Sequence, residues 1–481
     1  MKLRVLGTDL HLINMRTRMP FRYGITTLTA VPHLFVRVEL DVDGRRHVGL
    51  SADHLPPKWF TKNPASDVRD DINELLKVIT TACDVARSAP AADSAFDLWH
   101  RIYQGQAAWG GGWGYPPLLT HFGTSLVERG VIDAFCRAQG VTFGRAVLEN
   151  RFGIRLGVLQ PELEGRGPHE FLPPEPVRSI AARHTVGLTD PLTDGEVTPE
   201  ERVDDGLPQS LEACVRYYGL THFKIKLWGD VARDADRVRR VAEVLDRTAG
   251  DYRHTLDGNE NFKEAGALRQ FWEKLTAEPA LAGFLARLIF VEQPLHRDVA
   301  MGDAAAAELA GWRERPPMII DESDGEIGTA RRALGIGYVG TSHKNCKGVF
   351  KGLGNACLIE HRRRTDPAGR PYVLSGEDLS NTGPVALLQD LAVVASFGLG
   401  HLERNSQHYF RGLSMFDPGV QAAVLDAHDD LYHMHPQVFV TAHVEGGRMR
   451  IGSVVDAPFG LAAPFDPTRY TPLEEWSVET L

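Results

Sequence analysis

Three carboxylates stand at the ends of short apolar runs. Asp257 closes residues 254–257 (HTLD), Glu292 closes residues 288–292 (LIFVE) and Asp321 closes residues 318–321 (MIID). Carboxylates converging on one place repel one another unless a cation holds them. Hard oxygen donors with no His or Cys beside them suit Mg²⁺, with Mn²⁺ as the alternative, better than Zn²⁺. Lysines flank the set. Lys224 and Lys226 lie one residue apart in 221–227 (THFKIKL), so on a strand both point to the same side. Lys344 ends 338–344 (YVGTSHK). A neutral lysine takes a proton from carbon, but its ordinary pKa near 10.4 must first fall. A neighbouring cation and partial desolvation push it down. Lys224 next to Lys226, together with a metal, would supply that positive field. The chemistry suggested is metal-assisted removal of a proton from carbon.

These residues need a frame. From 221 onward short apolar runs recur, each followed by a helical segment, and later ones are 372–376 (YVLSG) and 398–403 (GLGHLE). With a strand candidate at 178–188 (RSIAARHTVGL) they make about eight β-α repeats, the number a closed parallel barrel needs. Nearly every run ends in ionisable residues, Glu322, Glu377 and Glu403 among them. Active sites of parallel barrels lie at the C-terminal ends of the strands. An open doubly wound sheet is the alternative, but no GxGxxG turn follows an early strand. The first 60 residues read as strands: 32–43 (PHLFVRVELDVD) is rich in Val and Leu and Asp43-Gly44 is a hairpin turn signal. Residues 66–104 read as helical, 109–117 (WGGGWGYPP) as a loop that anchors Trp109 and Trp113 by packing, and 120–140 as a helix closed by Gly140. The expected fold class is α/β, a modified (β/α)₈ TIM barrel with an α+β capping domain. Residues 1–145 would form the N-terminal part of the cap, 146–410 the barrel with the metal and catalytic site, and 411–481 a C-terminal segment returning to the cap. Residues 160–210 and 294–312 read as insertions.

Composition narrows the class. The chain has 481 residues and a net charge of -10, against a general nucleic-acid binder. Its 5 cysteines include no CxxC pair, so neither a disulfide framework nor a zinc knuckle is expected, and reduced thiols are. The N-terminus lacks the apolar stretch of a signal peptide, and no apolar run reaches the roughly 18 residues of a membrane helix. The expectation is a cytoplasmic protein that binds neither nucleic acid nor membrane.

The ordered set Lys224-Ile225-Lys226, Asp257-Gly258-Asn259, Glu292-Gln293-Pro294, Asp321-Glu322-Ser323 and Lys344 followed by Lys347-Gly348 resembles the enolase superfamily, in particular its muconate lactonizing enzyme-like subgroup within the mandelate racemase/muconate lactonizing enzyme family. The resemblance covers most of the chain. It implies that Asp257, Glu292 and Asp321 bind Mg²⁺, with Asn259 and Glu322 in support. It implies that Lys226 and Lys344 are acid and base, with Lys224 lowering the pKa of Lys226 and helping to neutralise a substrate carboxylate. The reaction implied is abstraction of a proton α to a carboxylate by way of an enediolate. Residues 20–24 (PFRYG), with Phe21 and Tyr23, look like the specificity loop of the cap. Lys347 rivals Lys344 as base, and Lys344 is preferred for its spacing from Asp321. Strand seven ends in Ser375-Gly376-Glu377-Asp378 with no His, which disfavours the His-Asp chemistry of mandelate racemase. Strand eight ends in His401-Leu402-Glu403 without the Asp-x-Asp of dipeptide epimerases. His401, His408 and Glu403 are expected near the substrate, and His184 in the core or a loop. Racemase, epimerase or cycloisomerase activity is the leading expectation. A sugar-acid dehydratase, with Glu403 or Glu377 joining the acid-base work, and a non-catalytic metal-binding barrel are the alternatives.

Overall fold

The computed structural model describes residues 1–481. Three long strands, β1 (Leu3–Tyr23), β2 (Thr26–Val42) and β3 (Arg45–His54), form an antiparallel sheet. Leu34, Val36, Val38, Leu40 and Val42 of β2 are all buried, the period-two pattern of a face turned to a core. The β2–β3 hairpin turns at Asp43 and Gly44, whose φ values of 51° and 82° are those of a tight two-residue turn.

Three helices cover the sheet: α1 (Val68–Ser88), α2 (Ala95–Trp113) and α3 (Pro117–Gln139). Helix α1 starts with a capping box, in which the Asp67 carboxylate accepts the Asp70 N–H at 2.8 Å and Asp70 accepts the Asp67 N–H at 3.1 Å. Every residue of α3 from Leu118 to Cys136 is buried, so α3 is the pillar of the cap. Its contact with β3 depends on glycine. A Cβ on Gly49 would lie 2.1 Å from the Gly130 carbonyl oxygen and 2.3 Å from the Ala134 nitrogen, both backbone atoms that no rotamer change can clear. Gly49→Ala should therefore cost about 3 kcal/mol of stability by overpacking, read as a lower urea midpoint at unchanged slope. A midpoint equal to that of the wild type would mean that α3 slides on the sheet at no cost.

The glycine-rich tract expected as a loop is helical up to Trp113, and Gly114 ends the helix in the left-handed region at φ 70°. Packing overrides the poor propensity of the glycines. A Cβ on Gly110 would meet Thr120 at 2.4 Å, and the Lys77 ammonium lies 3.3 Å above the Trp113 ring, which clusters with Trp109 and Tyr115.

Eight parallel strands follow: β4 (Ser179–Val186), β5 (His222–Lys226), β6 (Arg253–Asp257), β7 (Leu288–Glu292), β8 (Met318–Ile320), β9 (Gly340–His343), β10 (Val373–Gly376) and β11 (His401–Arg404). Each pairs with the next, and β11 pairs back onto β4 with Leu402 opposite Ala182, closing a barrel. The stretch 294–312, expected as an insertion, holds the helices Arg297–Ala300 and Asp303–Gly311 that connect β7 to β8, so it is an ordinary crossover of the barrel. Beyond 411 the chain forms a hairpin, Tyr432–His435 with Phe439–Ala442, and Arg448–Arg450 then lengthens the barrel sheet beside β4. Thr471–Pro472 finally pairs with β1, while Phe465 and Tyr470 pack on Phe35 at 4.9 and 5.1 Å. No helix is long and apolar enough to cross a membrane.

Candidate active site

The barrel register brings the predicted carboxylates together. Lys226 pairs with Asp257 across β5–β6, and Asp257 pairs with Glu292 across β6–β7. Asp321 immediately follows β8. The loops that carry them are tight: Asn259, Glu260 and Gln293 all have positive φ (39°, 64° and 30°), the strained backbone that clusters at functional sites. Gln293 Oε1 accepts the Asp321 N–H at 2.8 Å, and Asp257 Oδ1 accepts the Asn259 N–H at 2.8 Å.

Lys224 projects to the centre. Its ammonium lies 3.0 Å from Asp257, 2.8 Å from Glu292, 3.0 Å from Glu377 and 2.8 Å from Glu403. Lys226 reaches Asp257 at 2.6 Å. On the other wall Lys344 lies 2.9 Å from Asp321 and also binds Glu377. Lys347, in the turn after β9, donates to Asp321 Oδ1 at 3.0 Å and to Ser342 Oγ at 2.9 Å. Lys344 lines the open cleft and Lys347 supports Asp321 from behind. Glu322 is buried beside Asn259, whose amide it faces at 3.3 Å.

His401 is not at the mouth. It is the first residue of β11, at the N-terminal end of the barrel, where its ring stacks 5.4 Å from that of His222, the first residue of β5. Its Nδ1 lies 2.9 Å from the Arg183 guanidinium. Strand parity turns His401 to the same side as Glu403, but two residues of rise put it at the opposite end of the barrel. His408 is also off the cleft, buried against His184 outside the barrel.

Two further residues complete the floor. Glu377 follows β10, and one oxygen each of Glu292, Asp321 and Glu377 lie within 4.8 Å of one another. Arg183, fully buried in β4, donates to Glu377 at 2.7 Å and to Ser375 at 2.9 Å. A charged strand end on β10 was a signal for Glu377. For Arg183 the signal was its spacing of two from Thr185, which donates to Glu403 at 2.9 Å.

The electrostatics follow from burial and crowding. Burial raises the Glu292 carboxyl well above the usual range, and Asp257 and Glu377 push it further. Burial, then Asp321, Glu260 and Asp257, raise Glu322 to about 8. At Asp321 burial acts upward too, but Lys344 and Lys347 outweigh it and hold the group below the ordinary range. Burial alone would lower Lys224 and Lys344, yet the carboxylates around them hold both well above the ordinary lysine value. The lowered lysine pKa expected from the sequence is therefore not found at Lys224 or Lys344, because the carboxylates around them outweigh burial. Glu292, Asp321 and Glu377 converge, with Asp257 beside Glu292 across β6–β7, and Glu292 is anionic only reluctantly; together they form the oxygen donor set that a hard divalent cation relieves. The residues fit Mg²⁺.

The cap closes the cleft. The cleft has Lys224, Lys226, Asn259, Asp321, Lys344 and Glu403 on its barrel side. Phe21, Tyr23, Leu28, Val31, Trp59 and Leu379 supply an apolar wall facing them. The Tyr23 hydroxyl is tied to the Pro57 carbonyl at 2.9 Å, so the cleft sees its ring. Arg297, paired with Glu260 at 2.6 Å, donates to the Trp59 carbonyl at 2.9 Å and fastens the 55–63 loop to the barrel.

No family model matches the chain, and no curated protein matches it. Solved structures do. A mandelate racemase/muconate lactonizing protein from Herpetosiphon aurantiacus superposes with a TM-score of 0.58 at 15% identity, covering 96% of this chain and 99% of that one. The chain has the mandelate racemase/muconate lactonizing enzyme fold. Muconate lactonizing enzyme from Pseudomonas fluorescens, complexed with muconolactone, shares that fold with a TM-score of 0.58 at 14% identity over 97% of this chain and 98% of the other. An enolase from Bradyrhizobium, complexed with magnesium and mandelic acid, gives 0.55 at 14% identity over 98% and 97%. Of the predicted metal-binding carboxylates, Asp321 lines the cleft between cap and barrel, while Asp257 and Glu292 are fully buried behind Lys224, which lines it.

Proposed function

We propose that the chain is an enzyme of the enolase superfamily that removes a proton α to the carboxylate of a small acid, in a racemisation, epimerisation or cycloisomerisation. The observation that carries this reading is the pair Lys226 and Lys344. Both line one cleft, and they reach its carboxylate floor from different walls, one through Asp257 and the other through Asp321. A substrate carbon between them has an amine for each face, one to take the proton and one to return it. Asp257, Glu292 and Asp321, joined by Glu377, would hold Mg²⁺, which when bound supplies a Lewis acid for the substrate carboxylate. Lys224 would balance the negative charge gathered at that end. The apolar residues of the cap suit an acid with an apolar part at its far end, and with Asp378 already paired to Arg404, His54, Ser380 and Asn405 offer that end neutral polar groups. Glu403 in the cleft supports one other reading, a lyase that expels water, which a keto acid product would reveal. Cytoplasmic location, tested by cell fractionation, and a homo-oligomeric state, tested by light scattering, are part of the proposal.

The functional test is α-proton exchange in D₂O, followed by NMR over a panel of apolar-tailed carboxylic acids with Mg²⁺ present. Washout of an α-proton that stops with chelator supports the reading. A panel that shows no exchange, with Mg²⁺ bound, would point to a barrel that only binds. Metal binding has its own prediction. Saturating Mg²⁺, at about 100 times its Kd, should stabilise the fold by about 2.7 kcal/mol. Glu292→Gln should lose most of that increment in a thermal melt. Equal increments in both proteins would place the metal elsewhere.

A further inference from the structure

Outside the barrel lies a second cluster with different donor chemistry. On β4, Arg183 and Thr185 point inward, so His184 between them points outward, toward the helix Leu211–Tyr218. There it meets Cys214 of that helix and His408 of the short helix Ser406–Tyr409 that follows β11. The His184 and His408 rings lie edge to face at 4.9 Å, and Cys214 Sγ is 3.5 Å from His408 Nδ1. One nitrogen of each imidazole and the sulfur all lie within 4.8 Å of one another. None of the three residues is more than 2% exposed.

We propose that His184, Cys214 and His408 bind a zinc-class cation. His184 Nδ1 is buried without a hydrogen-bond partner, an expense that a protein interior rarely tolerates. With Zn–S near 2.3 Å and Zn–N near 2.05 Å, tetrahedral geometry sets a sulfur–nitrogen edge of about 3.6 Å, and the Cys214–His408 separation matches it. Asp190 Oδ2 lies 3.8 Å from His408 Nε2, beyond a hydrogen bond, and is fixed by the Gly187 N–H at 2.7 Å and the Tyr409 hydroxyl at 2.6 Å. On binding, the Cys214 thiol gives its proton to solvent and the thiolate bonds the cation, so the three residues form a neutral-imidazole and thiolate set that selects against Mg²⁺.

The position suggests a structural staple. Arg18 of the cap donates to the His408 carbonyl at 3.0 Å and pairs with Asp205, and Phe21 of the cleft wall stacks on Tyr409 at 4.1 Å. A cation here ties the 187–210 segment and the exit of β11 beneath the wall of the cleft. The proposal stands apart from the reaction in the barrel and is tested without turnover. Metal-free protein is titrated with Co²⁺ in the presence of excess Mg²⁺. One equivalent should produce an intense thiolate-to-cobalt charge-transfer absorption. Cys214→Ser and His184→Asn, each checked as folded by circular dichroism, should lose it. Glu292→Gln and Cys357→Ala should keep it. Failure of wild type to develop the band, or its persistence in folded Cys214→Ser, would overturn the site. If Cys214→Ser does not fold, His184→Asn decides by the same readout, and wild type without the band overturns the proposal whatever the variants do.

Discussion

Lys344→Met should lower turnover by about 10³-fold, the size of effect expected when a positioned acid-base group is removed, and Lys226→Met should do the same. The informative readout is which proton stops exchanging. If the two lysines serve opposite faces of one carbon, each variant should lose D₂O exchange from one enantiomer of the substrate and retain it in the other. If the reaction is a cycloisomerisation, only one lysine should matter for proton transfer. Two variants that exchange as fast as wild type would remove both residues from the mechanism. Methionine keeps most of the side-chain volume, so a fall in activity is not a cavity effect. Charge needs its own control, because Lys344 also neutralises Asp321 and Glu377. The variant's melting temperature therefore has to be measured alongside its rate. Removing a buried partner costs stability here too, so the expected pattern is a rate loss in protein still folded at the assay temperature, with Lys347 still binding Asp321 and Lys224 and Arg183 still binding Glu377.

The second large effect is on stability. Arg183 is fully buried, and its guanidinium holds Glu377, Ser375 and the Gly376 carbonyl while touching His401. Arg183, Lys224 and Lys344 together outweigh burial and keep Glu377 anionic. Breaking a buried pair by removing one partner leaves an uncompensated charge and costs about 3–5 kcal/mol. Arg183→Met should therefore lower stability by that order, measured by chemical denaturation. Glu377→Gln in the Arg183→Met background should recover part of the loss, because the stranded charge is gone. No recovery would mean that the cost lies in packing around Phe290, whose ring faces the guanidinium at 5.5 Å, and not in charge.

Much of this molecule is legible in its sequence. Alternation in β2, the Asp43-Gly44 turn, the Gly140 helix stop and the recurring apolar runs are local signals, because backbone periodicity and positive-φ positions are fixed by neighbours within a few residues. The same locality gives Asp257, Glu292 and Asp321: a carboxylate at the end of a parallel strand faces the mouth of whatever barrel that strand joins. Lys224 and Lys226 share a side by parity alone.

What the sequence left open depends on distances that no local pattern contains. Parity states which way a strand residue points, and not how deep it lies, which the stagger between barrel strands sets. Hence His401, alike in parity to Glu403, sits at the far end beside His222, and Arg183 lies under the carboxylates. The glycine tract before Trp113 is helical because Thr120 and Lys77 pack against it. His184, Cys214 and His408 become neighbours only when β11 closes onto β4. The three carboxylates were legible as strand ends. That a fourth, Glu377, and an ammonium, Lys224, lie among them was decided by closure of the barrel, which brings β10 and β5 to one centre.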